Sequence, residues 1–199
     1  MARIKSALEL ALEKTEDIKG DKTAIQAHEK KQEGKQIASR FLSPDRKKDE
    51  ISIIKMVKSY PKNEQQWVRE GIVEILLANL GLPKEESEIE SLEKLKEGFL
   101  ELISDKKRTE YYFQQLKQFY SQYLQDRERV TENLKQQYGP QFQRKQEEIK
   151  RQTGGSVQMS MEQDPEFASY LNKHLGQVEE QYKNVLYQIK EDLKKMALT

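Results

Sequence analysis

An all-α chain is expected here: a small N-terminal helical core followed by a long antiparallel helical hairpin, coiled-coil-like and elongated. Three observations predict it. A hydrophobic stripe runs from Leu92 to Leu134 with a seven-residue beat, in two series: Leu92, Phe99, Lys106, Phe113, Tyr120, Arg127, Leu134 and Leu95, Leu102, Thr109, Leu116, Tyr123, Val130. Residues three and four apart share one helix face, so the stripe reads as one long helix with a seam to bury. A second stripe, Phe167, Leu171, Leu175, Val178, Tyr182, Val185, Ile189, Leu193 and Met196, has the same spacing. Finally, the 199 residues are only 35% apolar and 35% charged, less core than a compact globule of this size needs and close to the make-up of long helices.

The five prolines punctuate the N-terminal part and the hairpin. A first amphipathic helix carries Ile4, Ala7, Leu8, Ala11, Leu12 and Ile18, and Gly20 is expected to close it. A second helix runs from about Thr23 to Leu42. Its middle, His28 to Gln36, is nearly all polar and is expected to be exposed or bound to something else. Ser43-Pro44 has the form of an N-cap with proline at the first helical position, opening a third helix with Ile51, Ile54, Val57 and Tyr60 that Pro61 stops. A fourth helix over about 64–80, capped by Asn63 and Gln66, is apolar on nearly every side and centres the small core. Leu80-Gly81-Leu82-Pro83 stops it. These helices define an N-terminal subdomain over residues 1–86.

The hairpin takes residues 87–199. Ser87 and Glu90 have capping-box spacing, and the long helix is expected over about 88–137. Gly139-Pro140 is expected to kink or break it, since proline removes a backbone donor and clashes with the preceding turn. A helical continuation to about Gln152 leads to a connection over about 153–164, where Val157, Met159 and Met161 alternate with polar residues as in an extended segment. Asp164-Pro165 then caps a last helix over about 165–196. The long helix outlasts its partner, so part of its stripe needs other company.

Charge and composition exclude more function than they specify. With 35 basic and 34 acidic residues, the chain lacks the basic excess of a dedicated polyanion binder. The absence of cysteine removes disulfides, thiolate catalysis and Cys-ligated metals, and fits a cytoplasmic setting. No apolar run approaches a membrane span of ~18 residues. Gly154-Gly155-Ser156 lacks the lysine and helix of a phosphate loop. The two histidines, His28 and His174, have Ile25 and Leu171 where a helical di-iron motif needs Glu. No catalytic, cofactor-binding or metal-ligating residue is expected.

The aromatic run of the long helix offers the best candidate surface. Phe113, Leu116, Tyr120 and Tyr123 fall on the seam; Tyr111, Tyr112 and Phe119 broaden it. Tyr111, Tyr112, Phe119, Tyr123 and Arg127 are therefore the expected interaction residues, because aromatic rings and arginine anchor protein interfaces. The expectation is a non-enzymatic scaffold or adaptor that binds a protein partner and forms a homodimer. The alternative is an RNA- or ribosome-associated protein, stacking bases on a Tyr/Gln/Lys surface.

Overall fold

The computed structural model describes residues 7–44, 52–153 and 160–199, with side chains described from Lys22 onward. The protein is all-α: six helices and two single 3₁₀ turns, with no strand among the described residues. The helices are α1 (Ala7–Leu42), α2 (Ile53–Lys58), α3 (Lys62–Ala78), α4 (Ser91–Leu102), α5 (Lys106–Thr153) and α6 (Pro165–Leu198). They gather into two compact units. One holds the described residues up to Leu80 with Glu93–Glu110 and Asp192–Thr199; the other holds Gly81–Leu92 and Tyr111–Glu191.

In the first unit, α1 is one continuous helix where two were expected. Gly20 lies inside it: glycine permits a helix to end but does not compel it, and no proline follows. Ile4 lies outside the described residues. The polar middle of α1 packs against α3 rather than facing water alone. The two helices cross on a pair of buried glycines, Gly34 and Gly71. A methyl group on Gly34 would stand 2.1 Å from the Val68 carbonyl oxygen, and one on Gly71 would stand 2.0 Å from that of Lys31. The backbones therefore touch, closer than helices separated by side chains.

Ion pairs flank this crossing: Lys31 with Glu70 (2.6 Å), Lys35 with Glu74 (2.8 Å) and Lys30 with Glu64 (3.6 Å). The polar residues of α1 are thus the flanks of a glycine contact, while Ile37, Ala38 and Phe41 supply its apolar end. Val68, Ile72, Val73 and Leu76 of α3 are buried, as the apolar character of that helix predicts. Pro61 separates two helices as expected: α2 ends at Lys58 and α3 begins after the proline. The described α2 starts after Ser52, not Pro44, and its first turn is capped by Glu101, which accepts from Ser52 Oγ (2.7 Å) and the Ile54 N–H (3.0 Å). Residues 45–51, including Ile51, lie outside the described residues. α3 starts at Lys62 with Pro61 at the N-cap, without the expected Asn63–Gln66 box.

The stripe expected to form one helix over 88–137 is divided. A 3₁₀ turn at Glu86–Glu90 leads into α4, which ends at Leu102, and α5 starts at Lys106. Asp105 is the reason: its carboxylate accepts the Arg108 N–H (3.0 Å) and its carbonyl accepts the Thr109 N–H (3.1 Å). A Ser-Asp pair offers the backbone this alternative to continued helix. Lys106 turns back to donate to the Leu100 and Ile103 carbonyls at the end of α4, where positive charge suits the helix dipole. Thr109, a polar member of the stripe, is fully buried with its hydroxyl donating to the Asp105 carbonyl (2.8 Å). Asp105→Ala is expected to cost about 1 kcal/mol in urea unfolding, the usual worth of an N-cap.

In the second unit α5 and α6 form the antiparallel hairpin. Tyr123 and Phe119 both meet Tyr182 at 5.0 Å between ring centres, and Tyr138 meets Phe167 at 5.3 Å. Residue numbers rise along one helix as they fall along the other. Pro140 does not interrupt α5, which continues to Thr153. The ring is exposed, and Tyr138 and Phe142 on either side share a buried cluster with Leu134 and Phe167. That burial offsets the lost backbone hydrogen bond, which costs ~3 kcal/mol in an unsupported helix. Val157 and Met159 lie outside the described residues, while Met161 opens a 3₁₀ turn closed by a Ser160–Gln163 capping box.

Candidate functional site

The five expected interaction residues fall in three environments. Tyr111 is 61% exposed, and Tyr112 is half-buried. Tyr123 is buried in the hairpin, under the Arg127 guanidinium at 5.6 Å from its ring centre. Arg127 also donates to the Lys84 carbonyl (3.3 Å), tying α5 to the chain that precedes α4. Phe119 is half-buried and forms one wall of a surface groove. The five are therefore not one patch: Tyr123 and Arg127 hold the unit together, whereas Phe119 is open to a ligand.

The groove has a volume of about 500 Å³. Its apolar floor is Phe119 from α5 with Tyr182 and Val185 from α6, and its banks are Gln115, Gln118, Gln122 and Gln181. Val185 is 49% exposed and the nearby Tyr187 is 60% exposed. Tyr182 donates to Asp126 at 2.6 Å. Burial and that bond push the phenol up to about 12, and the same bond holds the Asp126 carboxyl below its usual range. Both groups thus keep one charge state near neutrality. The α6 half of the groove was absent from the expected residues, although Tyr182 and Val185 lie on the stripe of the last helix. Spacing alone cannot show that a stripe is wider than the partner covering it.

A second polar cluster fastens the start of α6. The Asp164 carboxylate is buried and accepts the Glu166 N–H (2.9 Å), the Tyr138 hydroxyl (3.0 Å) and the Lys145 ammonium (3.1 Å). Lys145 also pairs with Glu166 and donates to the Tyr138 hydroxyl (2.9 Å). The Asp164-Pro165 cap is as the sequence predicts; Tyr138 and Lys145 reach it only because the chain folds back. Burial works against the Asp164 charge, but the Glu166 N–H, Lys145 and Tyr138 outweigh it and leave the carboxyl below its usual range. A lowered folded-state value means stability that is full above the unfolded value of about 3.9 and is lost as pH falls through the folded value. Asp164→Asn is therefore expected to unfold more readily than the parent at pH 7. It is also expected to lose less urea resistance than the parent between pH 7 and pH 3.

Among the described residues no group of three or more His, Asp or Glu side chains is placed to hold a metal ion, and no helix is long and apolar enough to cross a membrane. His28 is exposed, and His174 lies edge-on to Tyr170 at 4.6 Å. No curated protein and no solved structure matches the chain. A family model does match, over residues 54–195, which run from α2 to the last turns of α6 and so include both halves of the groove and the whole Asp164 cluster. With more than two-thirds of its length covered by that model, the chain belongs to the family of unknown function DUF6657.

Proposed function

We propose that this protein is a cytoplasmic, non-enzymatic helical adaptor that works through protein–protein contacts and self-association of its coiled-coil-like hairpin. The observation that carries this reading is the groove between Phe119, Tyr182 and Val185: an aromatic and aliphatic floor with amide banks, on a chain that is 35% charged. Interface cores are depleted of charge and rich in aromatic rings, which bury a large area at a low cost in side-chain entropy. The ionisable groups at the groove support a binding role over acid–base chemistry. Tyr182 is raised and Asp126 lowered, whereas a general acid or base works best with a value near the operating pH.

Light scattering over a micromolar concentration series tests self-association. A mass rising above the 23.5 kDa of one chain is expected; 23.5 kDa at every concentration would remove that half of the reading. Capture from the native cell with the intact chain and with Val185→Glu tests the adaptor half. A defined protein held by the parent and lost by the variant is expected. Salt-sensitive retention of single-stranded RNA, with no protein, would replace the adaptor by an RNA-binding role.

A further inference from the structure

The face of α5 that borders the groove repeats with a spacing of four and three: Tyr111, Gln115, Gln118, Gln122, Gln125 and Arg129, all exposed. This is a second seam on α5, distinct from the buried one through Phe113, Leu116 and Tyr120. Across the groove, α6 carries a matching exposed row at Gln177, Gln181, Asn184 and Gln188. Eight amides face solvent along two helices with no ionised side chain in either row between them. One charged pair closes the α5 row, where Asp126 holds Arg129 at 2.8 Å.

We infer that a second copy of this chain seats on this groove, its α5 antiparallel to the first, with the two-fold axis at the level of residue 120. The inference rests on the self-association just proposed and names its surface and register. Complementarity selects the occupant. An amide is both donor and acceptor, so a row of glutamines satisfies a copy of itself. A two-fold axis makes each contact occur twice, with the roles of the two copies exchanged. About this axis Gln118 meets Gln122 of the second copy, and Gln115 meets Gln125. At the two ends the exposed Tyr111 ring meets Arg129 of the second copy, a cation over an aromatic face. The Asp126 carboxylate beside the groove is already engaged by Tyr182, Gln122 and Arg129, so the amide banks offer a charged peptide no free counter-charge, and a nucleic-acid backbone would find no row of cations to replace its counterions. Polar residues at seam positions also fix register, because any slip leaves amides unpaired.

The chain lacks cysteine, so single cysteines report the register directly. Chains carrying Tyr111→Cys and chains carrying Arg129→Cys are mixed under mild oxidation. A disulfide-linked dimer is expected in the mixture and not from either variant alone, because equivalent positions would lie about 27 Å apart along the axis and a disulfide needs Cα atoms within about 7 Å. Gln118→Lys with Gln122→Lys sets like charges opposite each other and is expected to weaken the dimer about tenfold or more. Gln118→Lys with Gln122→Glu is expected to restore it. All four positions are exposed, so helix content and unfolding midpoint should stay near those of the parent. Cross-linking of Tyr111→Cys chains alone, as fast as the mixture, overturns the antiparallel register. A double-lysine variant that dimerises as tightly as the parent places self-association elsewhere and overturns this inference while leaving the adaptor reading intact. A monomer throughout overturns both. Tighter binding of single-stranded RNA by the double-lysine variant than by the parent, without dimerisation of either, gives the groove to nucleic acid and overturns the inference.

Discussion

Gly71→Ala is expected to destabilise the first unit by more than about 3 kcal/mol, measured as a shift in the urea or thermal unfolding of the intact chain. The added carbon would sit 2.0 Å from the Lys31 carbonyl oxygen and 2.9 Å from its carbonyl carbon. The neighbour is helix backbone, which cannot turn aside as a side-chain tip can, so α1 and α3 must separate along the crossing. Separation also pulls Lys31 from Glu70 and Lys35 from Glu74. Gly34→Ala is expected to cost a similar amount for the same reason. The two changes together should cost less than their sum, because one separation relieves both clashes. Gly176→Ala, inside α6, is the control: nothing beyond its immediate chain neighbours and the adjoining helix backbone lies within 4 Å of its added carbon, and an alanine inside a helix should stabilise by about 0.5–1 kcal/mol. Equal effects at Gly71 and Gly176 would show that the helices do not cross on these glycines.

Phe167→Ala is the second large effect, an expected loss of about 3–5 kcal/mol from the hairpin unit. The ring is fully buried and packs with Leu134, Tyr138 and Phe142. Its removal leaves a cavity between the first turn of α6 and the part of α5 that contains Pro140. Because that cluster keeps α5 helical through the proline, the variant should also lose hydrogen-exchange protection around Tyr138–Phe142 sooner than around Phe113–Tyr120. Phe119→Ala, at the half-exposed wall of the groove, should cost no more than about half as much. That contrast separates a ring that holds the hairpin together from one that is available to a partner. Equal losses would mean that the groove belongs to the core.

The divided stripe shows how far periodicity reaches. Leu92, Leu95, Phe99, Leu102, Phe113, Leu116, Tyr120 and Tyr123 are all buried, as the heptad pattern requires. Yet the pattern runs across the break at 103–105 as though the helix were continuous. Ser104-Asp105 is a cap signal of the kind that opens α6 at Asp164, and the unbroken beat of apolar residues masked it. At Gly20 and Gly139-Pro140 the opposite happens: local stop signals are present and the helix continues through them. At Pro140 the cause is tertiary burial on both sides of the ring. The groove was half visible. Phe119 stands out from the seam it broadens, but Tyr182 and Val185 reach it only through the antiparallel return of α6.

Sequence alone determined that the chain is helical, which faces of its helices are apolar, and that Asp164-Pro165 starts the last of them. These properties depend on residues within one or two turns of each other, where side-chain spacing acts directly. Tertiary structure decided that the polar middle of α1 lies against α3 through Gly34 and Gly71, and that Asp164 is buried beneath Tyr138 and Lys145. It also decided that the stripe of α6 leaves Val185 and Tyr182 uncovered beside Phe119. Each of those outcomes rests on how closely two distant backbones approach, which side-chain periodicity within a single helix does not encode.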